Sequence, residues 1–177
     1  LLFWRGILES VRDSKLVIKG KIASIDAGIN FAKKRFSMLS YDLARVEFRP
    51  YSPDYLEQYR DIDIALDTAP YNGGLTTCEA LYMGVPVISL RGRTHGSRFG
   101  ASILTNAGVP ELVAENDINY VRRAVQLAET PKLLEAYHMG LRANMKRSPL
   151  MNIEGYMEEL ETAYQEIWEN FCKFNSM

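Results

Sequence analysis

The sequence predicts an α/β fold in which a parallel sheet is covered by helices on both faces. Short apolar runs alternate with amphipathic segments of helical length along most of the chain, which is the pattern of strand–helix–strand units. In the clearest unit, an apolar run at residues 62–66 is followed by Asn72-Gly73-Gly74, a helical segment and a second apolar run at residues 85–90. Since no internal repeat or low-complexity linker interrupts the alternation, we expect one lobe spanning residues 1–177.

Hydrophobic periodicity and end signals locate the remaining elements. Ser97 and Asp117 are predicted helix caps, Pro53 and Pro131 suit first turns, and Gly108 marks a helix end. The other predicted strands are residues 16–18, 44–48 and 111–114. The other predicted helices are residues 3–11, 26–39, 53–60, 97–107, 117–128, 131–146 and a closing helix at 152–174.

Composition limits which partners the protein can have and indicates its cellular compartment. The formal net charge of −1 argues against nucleic acid as a partner. No apolar stretch is long enough to span a membrane. Cys78 and Cys172 form neither a disulfide framework nor a zinc signature, and free thiols in a reducing compartment predict a cytoplasmic protein. Because the first residue is Leu1 rather than methionine, we expect a piece of something longer.

The glycine turn, Asn72-Gly73-Gly74, is the predicted binding element. The first N–H groups of a helix lack intrahelical partners and carry partial positive charge. Glycines just before such a helix let its backbone approach a phosphate closely. The turn therefore predicts a nucleotide-phosphate site. The chain lacks both the Gly-x-Gly-x-x-Gly fingerprint and the Gly-Lys-Ser/Thr motif, which argues against NAD and ATP as ligands.

Glu79 has two interpretations that the spacing leaves open. Thr76-x-x-Glu79 fits a capping box, in which both side chains bond to helix N–H groups. Alternatively, a carboxylate about one turn into the helix accepts both hydroxyl protons of a ribose, as acidic residues do in dinucleotide folds.

Three motifs around this turn resemble those of a known family. They are Leu66-Asp67-Thr68, Tyr71-Asn72-Gly73-Gly74 and the run from Thr76 to Val87. Together they resemble the carboxyl lobe of the O-GlcNAc transferase and SPINDLY family, which are glycosyltransferases with tetratricopeptide repeats. The likeness covers almost the whole chain. It implies a Rossmann-like carboxyl lobe of a two-lobed GT-B glycosyltransferase, with the nucleotide sugar held mainly by this lobe.

The resemblance implies a role for each residue at the turn. Gly74, Leu75 and Thr76 stand where the family contacts the diphosphate, with Thr77 as a helper, and Glu79 stands at the ribose-binding acid. Tyr55 replaces a histidine near the nucleotide, where its ring can stack on the base. The resulting donor-binding set is Tyr55, Gly73, Gly74, Leu75, Thr76, Thr77 and Glu79. Gly74 replaces the histidine of the O-GlcNAc type, which brings this sequence nearer to SPINDLY-like and bacterial members.

The resemblance also implies what this chain lacks. The family lysine that contacts the donor phosphates lies just before the first helix, and the amino lobe with its acceptor-facing residues and the repeats is absent. We therefore place the catalytic residues outside this chain and expect it to be inactive by itself. The implied activity is metal-independent, cofactor-free and inverting. It transfers a GlcNAc-like or fucose-like sugar from UDP or GDP to a protein hydroxyl, or to another acceptor in a bacterial relative. A non-catalytic nucleotide-binding or interaction module is the alternative.

Other residues near the ligand edge are candidates because of their own chemistry. Asp67 ends a strand at the ligand edge and either orients the turn or contacts donor. His95 lies in a loop at the same edge and is either incidental or reaches the donor sugar. Asp61-Ile62-Asp63 resembles a metal motif, but it precedes its strand, so we expect no metal there. The aromatic stripe on the closing helix predicts self-association of this chain if the stripe is exposed.

Overall fold

The computed structural model describes residues 2–175, in which helices and strands alternate as predicted. The helices are α1 (Leu2–Ser10), α2 (Asp26–Met38), α3 (Leu75–Tyr82), α4 (Phe99–Asn106), α5 (Asp117–Ala128), α6 (Pro131–Arg147) and α7 (Ile153–Asn175). The strands are β1 (Leu16–Lys19), β2 (Val46–Arg49), β3 (Ala65–Leu66), β4 (Val87–Leu90) and β5 (Val113–Ala114). Leu1, Ser176 and Met177, which belong to the predicted lobe, lie outside the described residues.

All recorded strand pairs are parallel, which confirms the predicted fold class. The pairs form two sheets, β1-β2 and β3-β4-β5. The main core surrounds β4, whose Val87 and Ile88 are almost fully buried and which α3, α4 and α5 contact. Leu66 of β3 packs against both this core and the smaller apolar cluster beneath β1 and β2. The Leu66 side chain therefore connects the two apolar clusters.

The predicted α-helix at residues 53–60 is wrong. The segment instead forms turns followed by a 3₁₀ helix at Glu57–Asp61. Both of its ends are tethered to strand termini, because Lys19 Nζ donates to Gln58 Oε1 at 2.8 Å and Arg49 pairs with Asp61 at 2.7 Å. These two contacts attach the segment to the last residues of β1 and β2. The segment then forms a single short 3₁₀ helix, as is common in connections.

Several predicted boundaries also shift. The strand predicted at residues 62–66 shortens to β3, since only Ala65 and Leu66 find partners on β4. Ser97 does not cap α4; it lies in a 3₁₀ turn and forms a capping box with Thr94. Asn116, not Asp117, caps α5, because its side chain accepts a hydrogen bond from the Asn119 N–H. Gly108 ends α4 as predicted, with φ of +77°.

The last helix, α7, leaves most of its apolar side chains in solvent. Tyr164, Ile167 and Trp168 are each about two-thirds exposed. The other residues of this apolar face are Ile153, Tyr156, Met157, Leu160, Phe171 and Phe174. Despite this apolar face, none of the helices within residues 2–175 has the length and uniform hydropathy needed to cross a bilayer.

Candidate functional site

The glycine turn lies at the carboxyl end of β3 and leads directly into α3. Gly74 is the residue before the helix, and no side chain caps it. The N–H groups of Gly74, Leu75 and Thr76 have no acceptor among residues 2–175. Three consecutive free donors at the positive end of a helix are suited to hold an anion. The backbone arrangement predicted for a phosphate is therefore present.

Asp67 fixes the shape of this turn. Its carboxylate accepts hydrogen bonds from the Gly73 N–H at 2.7 Å, the Thr68 N–H at 2.8 Å and the Ser89 hydroxyl at 2.6 Å. Burial raises the pKa of Asp67, and these hydrogen bonds offset part of the rise. Since every bond of the carboxylate goes to the protein itself, Asp67 orients the turn, the first of its two expected roles.

The two glycines of the turn have different surroundings. A Cβ on Gly73 would lie 2.6 Å from Thr76 Oγ1 and 2.8 Å from Thr77 Oγ1, so only glycine fits beneath these hydroxyls. A Cβ on Gly74 would meet nothing within 4 Å. Gly73 is therefore needed for packing, whereas Gly74 has room for a side chain.

The two threonines also differ. Thr77 is buried and its hydroxyl donates to the Gly73 carbonyl at 3.0 Å, so its proton serves the turn. Thr76 is exposed, and its hydroxyl has no hydrogen-bond partner in the part of the chain that the structure describes. The capping-box interpretation of Thr76 and Glu79 is wrong, because α3 begins at Leu75 and Thr76 lies inside the helix.

Glu79 is instead bonded to the segment that precedes β3. The Tyr55 hydroxyl donates to Glu79 Oε1 at 2.5 Å, and this bond raises the pKa of Tyr55. Within residues 2–175, no donor is recorded for the second carboxylate oxygen, Oε2. Two predicted donor-binding residues that are distant in sequence are thus brought together, and the carboxylate keeps an acceptor for a ligand hydroxyl.

A cleft of about 200 Å³ lies between β3 and α3 under the turn. Asp67, Gly73, Thr76 and Thr77 are among its lining residues. A larger groove, of about 1010 Å³, lies between α1 and α5 and is not lined by any residue of the turn. The small cleft therefore belongs to the candidate site and the large groove does not.

Comparison with known proteins identifies the family. The model of Glycosyl transferase family 41 matches residues 1–160. This chain belongs to glycosyl transferase family 41. It is 38% identical over 176 residues to proteins of Eustoma exaltatum subsp. russellianum and Arabidopsis thaliana, each described as a probable UDP-N-acetylglucosamine–peptide N-acetylglucosaminyltransferase SPINDLY. These matches cover 98% of this chain but only 19% of each relative.

A solved structure agrees with this assignment. The family 41 chain superposes on a mutant of the Thermobaculum terrenum O-GlcNAc transferase with a TM-score of 0.91 and 30% sequence identity. The match covers 97% of this chain and 34% of the other. The predicted resemblance to the O-GlcNAc transferase and SPINDLY family is confirmed, as is the GT-B class of the fold.

His95 of the family 41 chain lies in the connection that follows β4. It starts the 3₁₀ turn at His95–Ser97, is exposed, and meets the Phe99 ring edge-on at a centroid distance of 4.9 Å. The adjacent Gly96 carbonyl accepts a hydrogen bond from the Asn72 N–H at 3.0 Å. The His95 segment is therefore attached to the glycine turn.

The buried partners of Asp67 were not predicted from the sequence. The Tyr120 hydroxyl donates to the Asp67 carbonyl at 2.8 Å and accepts from Trp4 Nε1 at 3.3 Å. Burial raises the pKa of Tyr120. Ser89 carried a signal, since it is a polar residue inside a buried apolar strand, whereas nothing in the spacing of Tyr120 relates it to Asp67.

In the Asp61-Ile62-Asp63 segment, the first carboxylate forms an ion pair within the protein. Asp61 pairs with Arg49, and this ion pair lowers the pKa of Asp61. Among the described residues, no three His, Cys, Asp or Glu side chains come together in a metal-binding group.

Proposed function

We propose that this family 41 chain is the donor-binding lobe of an inverting glycosyltransferase that transfers a sugar from a nucleoside diphosphate to a protein hydroxyl. The observation that carries the proposal is the row of free N–H groups at Gly74, Leu75 and Thr76 beside the Glu79 carboxylate. The printed names of the SPINDLY relatives, which specify UDP-N-acetylglucosamine and peptide, support this substrate class.

In this proposal the diphosphate binds at the start of α3. The free N–H groups donate to its oxygens, and the Thr76 hydroxyl supplies one more donor. These groups are already oriented because Asp67 holds Gly73 in place. They stabilise the negative charge that grows on the nucleoside diphosphate as the sugar leaves, which requires no metal ion.

The nucleoside binds on the Tyr55 side of the turn. Glu79 Oε2 accepts hydrogen bonds from the ribose hydroxyls, while the Tyr55 hydroxyl holds the other oxygen of the same carboxylate. The Tyr55 ring borders the base. These contacts are common to UDP and GDP, so the donor is a UDP- or GDP-linked sugar, with UDP-N-acetylglucosamine and GDP-fucose as the two probes.

Titration calorimetry with UDP and GDP tests the proposal. We expect Thr76→Ala and Glu79→Ala each to weaken binding by about tenfold, as expected for a lost hydrogen bond to a charged group. Thr162→Ala and Glu166→Ala on α7 are the matched controls and should bind as the unsubstituted chain does. Undiminished binding by both site variants would refute the donor site. Absence of nucleotide binding even in the longer parent protein would favour the alternative of an interaction module, for which the exposed apolar face of α7 is the candidate surface.

The activity of the isolated chain provides a separate check. It spans 19% of the SPINDLY relatives, so acceptor binding and catalysis are assigned to the rest of the protein. We expect sugar transfer to a protein acceptor only when this chain is part of the longer protein. Transfer by the isolated chain, measured with radiolabelled donor, would contradict this assignment.

A further inference from the structure

The outer side of α2 carries exposed apolar side chains together with basic ones. Phe31, Lys34, Arg35 and Met38 follow the spacing i, i+3, i+4, i+7, so they lie on one side of the helix. Phe31 is 62% exposed, Met38 is 69% exposed, and both basic side chains are exposed as well. These four residues, called the α2 face below, have no part in the donor contacts given above.

Packing on the inner side of α2 holds this face toward solvent. Phe36 is buried, and its ring meets the Tyr41 ring at a centroid distance of 4.6 Å and the Phe48 ring at 5.7 Å. Among the described residues, no carboxylate lies within ion-pair distance of Lys34 or Arg35. The α2 face therefore presents positive charge beside exposed apolar area, and its complement is an apolar surface edged by carboxylates.

The apolar face of α7 has such an edge of carboxylates. Glu154, Met157, Glu161, Tyr164 and Trp168 are separated by alternating steps of three and four residues, so they lie along one side of the helix. All five are exposed. The charged residues of α7 are Glu154, Glu158, Glu159, Glu161, Glu166, Glu169 and Lys173. The helix therefore combines apolar surface with a large negative charge, which is the complement of the α2 face.

We propose that the α2 face of one copy of this chain binds the acidic, apolar face of α7 from a second copy. Two copies of α7 packed against each other would bring the glutamates of both helices together, and like charges at an interface oppose association. Contact with α2 instead pairs those glutamates with Lys34 and Arg35. It also covers Phe31 and Met38 with apolar side chains. Since each copy carries one α2 face and one α7, the contact either occurs twice in a twofold dimer or repeats along a chain of copies.

Charge reversal followed by sedimentation velocity tests this pairing. Lys34→Glu with Arg35→Glu makes the α2 face acidic, and Glu154→Lys with Glu161→Lys makes the edge of α7 basic. We expect each double variant alone to associate about tenfold more weakly than the unsubstituted chain, because like charges then meet. When the two double variants are mixed in equal amounts, association should return, because an acidic α2 face then meets a basic α7.

Lys33→Glu with Lys132→Glu is the matched control. It changes the net charge by the same amount as the α2 double variant, but Lys33 lies on a different side of α2 from Phe31, and Lys132 belongs to α6. This variant should associate as the unsubstituted chain does. All of the substituted residues are exposed, so each variant should keep its fold, which circular dichroism checks.

Three results would overturn the inference. The first is unchanged association of the variant with Lys34→Glu and Arg35→Glu, because α7 then binds elsewhere. The second is a mixture of the two double variants that associates no better than either variant alone. The third is an unsubstituted chain that stays monomeric and cosediments with phosphatidylserine vesicles in a manner that requires Lys34 and Arg35, because the α2 face then binds lipid.

Discussion

At the scale of single residues, the two glycines of the turn differ in how closely they are packed. Gly73→Ala places a methyl group against two hydroxyls, 2.6 Å from Thr76 Oγ1 and 2.8 Å from Thr77 Oγ1. We expect it to lower the free energy of unfolding by about 1–3 kcal/mol, as overpacking does. Urea denaturation followed by circular dichroism measures this loss.

Gly74→Ala is the companion substitution at the same turn. Because its methyl group meets no atom within 4 Å, the free energy of unfolding should stay within about 0.5 kcal/mol of the unsubstituted value. The affinity for UDP or GDP should also stay close to that of the unsubstituted chain, because the methyl group removes no N–H group and the O-GlcNAc type of the family carries a histidine side chain at this position. A clear loss of nucleotide affinity in this stable variant would contradict this expectation.

Asp67 gives a prediction for pH. Because burial raises its pKa in the folded state, its ionisation costs stability. The cost begins as the pH rises through the unfolded pKa of about 3.9 and is complete above the raised folded pKa. The stability of the unsubstituted chain relative to Asp67→Asn should therefore fall as the pH rises from about 4. Urea titrations of both proteins at several pH values measure the difference, and a relative stability that rises with pH would contradict it.

At the scale of elements, Tyr120 links α1 and α5 to the end of β3. Its hydroxyl contacts both the Asp67 carbonyl and Trp4 Nε1, and Asp67 in turn holds Gly73. Tyr120→Phe removes the hydroxyl and leaves the buried Asp67 carbonyl and the half-buried Trp4 N–H without this partner. We expect a loss of about 1–3 kcal/mol in the free energy of unfolding, together with a shift of the Gly73 amide resonance and weaker nucleotide binding.

Tyr137→Phe is the control for this effect. The Tyr137 hydroxyl donates to Glu111 Oε1 at 2.6 Å, a bond of similar length that lies on the exposed surface. The variant should leave the Gly73 amide resonance and the nucleotide affinity unchanged. If both tyrosine variants shift the Gly73 amide equally, the effect is general and Tyr120 does not position the turn.

At the scale of the whole molecule, α7 carries a large apolar surface that is exposed to solvent. Its side chains at Met157, Leu160, Tyr164, Ile167 and Phe171 follow alternating spacings of three and four residues, as in a coiled-coil seam. Exposed apolar area of this kind promotes association. The predicted self-association of this chain should therefore involve α7.

Sedimentation velocity measures that association. We expect the unsubstituted chain to show a concentration-dependent increase in mass, and Ile167→Glu with Phe171→Glu to remain monomeric. Both side chains are about 60% exposed, so the stability of the single chain should change little. A monomeric unsubstituted chain at high micromolar concentration would refute self-association through this helix.

The local pattern was sufficient for much of the fold. Parallel strands, the helix after the glycine turn and the helix end at Gly108 follow from periodicity and from residues with distinct backbone preferences. The segment at 53–60 was predicted as an α-helix because the prediction used only signals within the segment, such as Pro53 at the first turn. Its tethers to Lys19 and Arg49 come from other strands and have no local signal.

By itself, the sequence determined the α/β class, the position of the glycine turn and the family, because each depends on residues that are neighbours along the chain. Only the tertiary structure decided what each of the turn's residues does. Asp67 orients the turn, Thr77 bonds to Gly73, and Glu79 pairs with Tyr55 rather than with its own helix. Glu79 depends on Tyr55 from the connection after β2, and the Asp67 carboxylate and carbonyl are bonded by Ser89 of β4 and Tyr120 of α5. Such long-range contacts exist only after the sheets have formed.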